Sequence, residues 1–323
     1  MGFKMKRFLE KDQKKVSLFI KGLAKKLVEE FPKEIDFIIL YGSAARKEFV
    51  PGVSDIDLII QTKHQESVPI VERRALEIFW QLNKKYRLGF EKVCKQQNSK
   101  EGFIPNLLKA IERQTPLFKP IFVFGPKDLD WRNGEIKHKK LFLKAKLFAC
   151  EYSIFSHFKK EGKIIYGRDI RKEIKVKFSL WEKIKNFLIP FYLLFGSVIL
   201  IPFFSKRSLN YMTKSVIWGM ESLLLEYGFL KKASIEKKTK FFKKISQKEI
   251  ELLEKYLSVI LKEKRKELGK RFFKTLSKAI EYKLNQPSLS FTKRLKFLIE
   301  AWVFLLGVNL IGIKRILREI KLK

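Results

Sequence analysis

The sequence predicts an α+β domain, with a small mixed sheet and flanking helices, followed by an all-α helical bundle. Up to about residue 134, short strand-like segments alternate with segments of helical periodicity. Beyond that point the pattern is one of long helices separated by short breaks, and the excess of basic residues rises. The 323 residues are enough for two domains, which we assign to residues 1–134 and 135–323.

The elements of the first domain follow from local patterns in chain order. Apolar residues from Val16 to Phe31 recur every three or four positions, which is the spacing of one helix face, and Pro32 ends that helix. The strand IDFIILY runs into a Gly-Ser turn, and a second strand, SDIDLIIQ, follows a short loop. The remaining predicted elements are a helix over 68–85, a half-exposed strand GFEKVCKQ, a helix over 103–113 and a final strand PIFVF.

The second domain is predicted to be helical, with helices over 138–160, 178–204, 207–228, 247–266, 268–284 and 291–318. Its apolar runs 187–204 and 297–313 approach the ~20 residues that cross a bilayer. Pro190 and Pro202 interrupt the first run, and a helix at the centre of a bundle is also apolar on all sides. We therefore expect buried bundle core and disfavour an integral membrane protein, with contact to a membrane surface as the alternative.

The charge of the chain is strongly positive and uneven. Lysine and arginine number 70 against 34 acidic residues, and residues 136–323 carry a net charge of +28 against +8 for residues 1–135. A basic half of this kind favours a polyanionic partner, either nucleic acid or an anionic membrane surface. Compositional bias of an AT-rich genome, which enriches lysine, explains the same excess without any partner.

The cysteine pattern and the N-terminal segment favour a cytoplasmic protein. Cys94 and Cys150 are far apart and have neither a metal-binding nor a redox spacing, which suits a reducing compartment. The opening segment, MGFKMKRFLEKDQKKVSLF, carries charges where a secretory signal has its apolar core.

Two aspartates interrupt the apolar strand SDIDLIIQ. Residues two apart in a strand project from the same face, so Asp55 and Asp57 should lie side by side while Ile56 and Leu58 face the core. Two adjacent carboxylates repel, and one would be protonated unless a cation compensates them. Mg²⁺, a hard ion held by carboxylates and substrate phosphates, suits such a pair.

The turn before this strand has the features of a phosphate site. Gly42 has no side chain, so a phosphate can approach the backbone closely. Ser43 and the amides after it stand where a strand gives way to a helix N terminus, which binds anions. Arg46 lies one turn further and is a candidate contact for the same phosphates. A phosphate site followed by paired aspartates predicts metal-assisted phosphoryl or nucleotidyl transfer.

The stretch GSAARKEFVPGVSDIDL resembles the signature of the DNA polymerase β-like nucleotidyltransferase superfamily, especially its minimal and kanamycin-type members. Their pattern is Gly-Ser, Ala-Arg-Gly, a loop, and Ser-Asp-hydrophobic-Asp on the next strand, and Lys47 replaces the usual glycine. The resemblance covers residues 30–130 and implies a nucleotidyltransferase domain, to which a basic helical bundle is attached as in some family members. The matching residues are Gly42, Ser43, Ala45, Arg46, Ser54, Asp55 and Asp57. Of these, the resemblance assigns Gly42, Ser43, Arg46 and Ser54 to nucleotide and phosphate binding.

The family uses a third carboxylate on a neighbouring strand, and Glu91 in GFEKVCKQ is our candidate. With Asp55 and Asp57 it would form the catalytic and metal-binding set. The alternatives are Glu101, Asp128 and Asp130. Without any third carboxylate the domain would bind nucleotides but not turn them over.

The resemblance implies that an acceptor hydroxyl attacks the α-phosphate of a nucleoside triphosphate, with ATP as the expected donor, and that pyrophosphate leaves. Two Mg²⁺ ions, for which Mn²⁺ is an alternative, would assist. A small molecule, a protein side chain and an RNA end remain open as acceptors. Two other functions remain open on the same fold, namely a non-catalytic basic RNA-binding or regulatory module and a peripheral membrane protein.

Overall fold

The computed structural model describes residues 2–50, 54, 56–90, 121–137, 150–175, 179–229, 235–247 and 265–321. The chain divides into two compact units, one made of residues 1–147 and 155–176 and the other of residues 148–154 and 177–323. The domain boundary predicted after residue 134 stays a prediction, and residues 155–176 group with the first unit.

The elements up to residue 176 are short strands and helices, as the sequence predicts. In chain order they are α1 (Gly2–Glu30), β1 (Ile35–Tyr41), α2 (Gly42–Ala45), β2 (Asp57–Thr62), α3 (Val68–Tyr86), β3 (Ile121–Phe124), β4 (Leu129–Asp130), β5 (Glu135–Ile136), α4 (Glu151–Glu161), β6 (Lys163–Gly167) and a 3-10 turn (Ile170–Lys172). The predicted strand GFEKVCKQ falls, apart from its first two residues, outside the described residues, and the predicted helix over 103–113 lies wholly outside them.

The main sheet is mixed, with the strand order β3-β2-β1-β6. β1 runs antiparallel to both β2 and β6, whereas β2 and β3 are parallel. The segment that contains β6 was predicted as a break between helices, and the sequence analysis missed the strand within it. Gly167 explains how β6 fits beside β1: its φ is +78°, and a β-carbon there would lie 1.9 Å from the Asp36 carbonyl oxygen. The two backbones are too close for any other residue.

Both faces of β1 are covered, which accounts for its nearly continuous apolar sequence. On one face Ile38 and Leu40 pack in a core with Phe19 of α1 and Phe79 of α3. On the other face the Phe37 ring meets Trp131 at a centroid distance of 5.3 Å, and Trp131 in turn meets Phe158. A strand held on both sides in this way gives the turn that follows it a fixed position.

The second unit is helical, which confirms the predicted fold class. Its described helices are α5 (Leu180–Leu200), α6 (Ser205–Glu226), α7 (235–247), α8 (Arg265–Asn285) and α9 (Phe291–Lys321). Helix α6 packs against α5, α8 and α9, and most of its residues are buried. Helix α7 was not predicted. Residues 248–264, which make up most of the predicted helix over 247–266, lie outside the described part of the chain.

Helices α5 and α9 are, by length and composition alone, able to cross a membrane. The prediction that their apolar runs are buried on all sides is wrong. One side of each helix packs against α6, but the other side exposes large apolar residues such as Phe195 on α5 and Leu306 on α9. Helix α6 covers only one side of α5 and of α9, so apolar residues on their other sides are exposed.

Candidate functional site

The end of β1 and the start of β2 meet at one point, where Tyr41 pairs with Asp57. Gly42, the next residue, begins α2 with a φ of +68°. A β-carbon at Gly42 would lie 2.0 Å from Oδ2 of Asp57, far inside any allowed contact. Glycine is therefore required twice over, by its left-handed backbone and by the carboxylate beside it. The fold places Asp57 directly against the Gly-Ser turn.

The strand alternation predicted around Asp57 is present. Ile56 and Leu58 are buried in the core, whereas the Asp57 side chain is half-buried at the strand end. Asp55 and Glu91 lie outside the described residues, so their placement beside Asp57 stays a prediction. Among the residues that are described, no group of three or more histidine, cysteine or acidic side chains is placed to hold a metal ion.

The turn itself offers backbone donors. Helix α2 has only four residues, and the first amides of a helix have no carbonyl partner within it. The turn is closed by the Glu48 amide, which donates to the Ser43 carbonyl oxygen at 2.8 Å. Lys47, which stands at the family's usual glycine, has a φ of +63°. The position therefore keeps the left-handed backbone for which glycine is best suited.

Ser54 closes the loop that leads into β2. Its hydroxyl oxygen accepts from the Val50 amide at 3.0 Å, and its own amide donates to the Val50 carbonyl oxygen at 2.9 Å. The side chain is buried. These contacts fix the start of the strand that carries Asp57, and the nucleotide-binding role of Ser54 stays a prediction.

The guanidinium of Arg46 lies in a buried ion-pair network. Its Nε donates to Glu48 at 3.0 Å, and its Nη1 donates to Glu161 at 2.8 Å. Glu161, fully buried at the end of α4, is also 3.0 Å from Nδ1 of His157. The network joins α2 to α4, and the phosphate contact assigned to Arg46 stays a prediction. Sequence reasoning missed Glu161 and His157, although their i, i+4 spacing on one helix was a usable signal.

Residues 20–117 match the family model of the nucleotidyltransferase domain. The chain carries a nucleotidyltransferase domain. The matched span contains the Gly-Ser turn, Asp57 and all of the elements from β1 to α3, and the predicted resemblance is confirmed. No curated protein and no solved structure is significantly similar to the chain.

Two alternative third carboxylates lie just beyond the matched nucleotidyltransferase span, and both have structural contacts. Asp128 is buried, and its Oδ2 accepts from the Gly125 amide at 2.7 Å and from Gln65 at 3.0 Å. Asp130 pairs with Lys137 at 2.8 Å. Hydrogen bonds from Lys137 and Asn133 lower the pKa of Asp130 to about 2. Glu101, the third alternative, lies outside the described residues.

Part of the basic excess that follows the nucleotidyltransferase domain has partners within the second unit. Lys238 is buried and donates to Glu221 at 3.1 Å. The exposed Lys240 forms an i, i+4 pair with Glu236 at 3.0 Å. Such lysines contribute to packing or to local charge balance, and binding of nucleic acid by the basic half stays a prediction.

Proposed function

We propose that the nucleotidyltransferase domain moves a nucleoside monophosphate from a nucleoside triphosphate to an acceptor hydroxyl and releases pyrophosphate. The contact between Gly42 and Asp57 carries the proposal, because it puts a carboxylate beside a turn with backbone amides able to bind phosphate. The family match supports the reaction class and a nucleoside triphosphate as donor, for which we propose ATP. We place the reaction in the cytoplasm.

Divalent metals generally serve nucleotidyltransferase domains, and the donor chemistry at this site fits them. Asp57 offers a hard carboxylate oxygen at the strand end, and in our proposal Asp55 and Glu91 complete the set. When bound, two Mg²⁺ ions, or Mn²⁺ in their place, neutralise charge on the triphosphate and on the attacking and leaving oxygens.

The residues of the turn orient the donor. Because Gly42 lacks a side chain, the Asp57 carboxylate can lie directly against the turn. The α2 amides and the Ser43 hydroxyl can donate to the oxygens of the triphosphate. With a divalent ion bound, the carboxylate of Asp57 would hold that ion beside the turn. Glu91, if it stands on the neighbouring strand, accepts the proton of the acceptor hydroxyl as a general base. Small molecules, protein side chains and RNA ends remain candidate acceptors.

The test is incubation of the purified protein with each α-labelled triphosphate, Mg²⁺ and panels of the three acceptor classes. We expect label transfer in the wild type, and a loss of at least about a hundredfold in Asp55→Asn and Asp57→Asn, because removal of a ligand charge weakens transition-state stabilisation. Asp36→Asn is the control: Asp36 lies on the same sheet but forms a surface pair with Arg168.

Full activity of either folded active-site variant would refute the two-metal proposal. Glu91→Gln tests the third carboxylate separately, and wild-type turnover there would assign that role to another residue. Saturable triphosphate binding without label transfer to any acceptor would instead favour the non-catalytic nucleotide-binding alternative.

A further inference from the structure

Helix α9 carries a continuous apolar stripe on its exposed side. Between Phe297 and Ile313, every exposed position holds isoleucine, valine or leucine. These residues are 38–59 % exposed and follow steps of three and four, so they lie along one face: Ile299, Val303, Leu306, Leu310 and Ile313. A helix that faces water carries charged and polar residues at such positions. The α9 stripe therefore faces something other than water.

Helix α5 extends the same surface. From Tyr192 to Phe203, its exposed positions and those of the turn that follows hold only apolar residues and a tyrosine, and they include Phe195 and Ile199. The Phe195 ring meets Trp302 of α9 at a centroid distance of 4.9 Å, so the exposed sides of the two helices adjoin. We call this joint surface the α5/α9 face. Among the residues of the first unit whose side-chain exposure is described, Leu18 and Ile70 are the only large exposed apolar ones.

The interior of the same unit is mainly apolar, but it also contains several buried polar contacts. Asn186 of α5 donates to the Ser222 carbonyl oxygen at 3.2 Å, and the Ser222 hydroxyl donates back to the Asn186 carbonyl oxygen at 2.8 Å. The Lys185–Glu182 and Lys238–Glu221 ion pairs are also largely buried. Polar contacts between helices of this kind also occur among helices that are in contact with lipid.

Basic residues stand at both ends of the α9 stripe. Lys293 and Lys296 are exposed before it, and Arg318 is exposed after it, with Lys314 and Arg315 near the same end. Long basic side chains at such ends reach the headgroup region while the stripe contacts acyl chains. A second copy is a poor occupant, because it would bring another strongly basic chain, whose residues 136–323 carry a net charge of +28, against this one. An anionic bilayer complements both the apolar stripe and the charge.

Helix α8 indicates how the unit would meet the bilayer. It packs beside α9, but from Lys270 onward its exposed positions are polar or charged, among them Lys270, Arg271, Lys274 and Glu281. If the bundle spanned the membrane, these charges would lie in the hydrocarbon region at a high cost. One apolar face and one charged face instead fit a bundle that lies in the interface.

We propose that the α5/α9 face is a monotopic binding surface for anionic phospholipid bilayers, on which the apolar stripe enters the acyl region and the flanking basic residues contact lipid phosphates. This surface holds the nucleotidyltransferase at a membrane, and it is independent of which acceptor the enzyme uses. Binding requires both components, because a few basic contacts or a shallow apolar stripe alone give only weak membrane affinity.

The first test is flotation of the full-length protein with vesicles of phosphatidylcholine, either alone or with about one third phosphatidylglycerol. We expect wild type to float with the anionic vesicles and Ile299→Gln/Leu306→Gln to bind at least tenfold more weakly. The matched control is Leu18→Gln/Ile70→Gln, since these residues, 46 % and 49 % exposed, compare with 59 % and 53 % for Ile299 and Leu306. Lys293→Gln/Lys296→Gln should also weaken binding, whereas Lys270→Gln/Lys274→Gln on the α8 face should not.

The second test measures which face of the helical unit contacts the bilayer, and it changes only one residue of the binding surface. In a Cys94→Ser background, an environment-sensitive dye on Leu306→Cys should shift to the blue on anionic vesicles, while the same dye on Lys274→Cys should not. Three results would overturn the proposal: no flotation of wild type with anionic vesicles, equal flotation of the Ile299/Leu306 variant, or a blue shift at both positions. Self-association through the stripe without vesicle binding would assign the face to a second copy.

Discussion

The position of a β-carbon on Gly42 lies 2.0 Å from Oδ2 of Asp57. Two residues that are 15 positions apart in the sequence are thus in mutual contact, because β1 and β2 pair as adjacent antiparallel strands. The glycine of the turn and the aspartate of the strand are one structural feature. Any side chain at position 42 must move the carboxylate that we assign to the metal.

Gly42→Ala should reduce nucleotidyl transfer by at least about a hundredfold, since a displacement of about 1 Å at a reacting centre has an effect of that size. An alanine at position 42 would also be strained by the positive φ, which lowers stability on its own, so a control must separate this strain from the contact with Asp57. Gly228→Ala has a similar φ, +70°, but open space around its β-carbon. Both variants should lose stability in urea unfolding, whereas only Gly42→Ala should lose activity. Equal activities would contradict the role of the contact.

Lys47→Gly should stabilise the protein by about 1 kcal/mol. Lys47 has a φ of +63°, where a β-carbon is strained, and glycine relieves that strain by more than it costs in chain entropy. Lys63, which is exposed and has no left-handed backbone, is the control, and Lys63→Gly should be destabilising. Urea unfolding of the two variants measures the difference. A loss of stability in Lys47→Gly would show that lysine makes contacts that outweigh the strain.

The Cys150 thiol should be inert in the folded protein. Burial raises its pKa to about 12, because the thiolate is the charged form, and its Sγ donates to the Glu182 carbonyl oxygen at 3.1 Å. At pH 8 the thiol therefore stays protonated, and the protonated form is not a nucleophile. In a Cys94→Ser variant, Ellman's reagent should therefore react only after a denaturant is added. Rapid stoichiometric reaction without denaturant would contradict the burial of this residue.

Local sequence patterns were sufficient to predict β1, β2 and the Gly-Ser turn, because their apolar periodicity and turn residues lie within one short stretch. They were not sufficient to predict β6, which pairs with β1 from about 125 positions away. The ion pair between Arg46 and Glu161 was missed for the same reason, since the two residues are 115 positions apart. The sequence predicted α5 and α9 as helices. It did not predict which side of each helix is buried, because that depends on packing against other helices and not on composition.

Glu161→Gln should destabilise the first unit by about 3 kcal/mol, since it removes a buried carboxylate that pairs with the buried guanidinium of Arg46. The matched control is Glu30→Gln. Glu30 also accepts from an arginine, Arg74, at 2.8 Å, but both side chains are exposed, so the loss of stability should be much smaller. Urea unfolding of both variants at neutral pH gives the comparison. If the two variants lost equal stability, burial would not strengthen the ion pairs of Arg46. The link between α2 and α4 would then contribute no more than a surface ion pair.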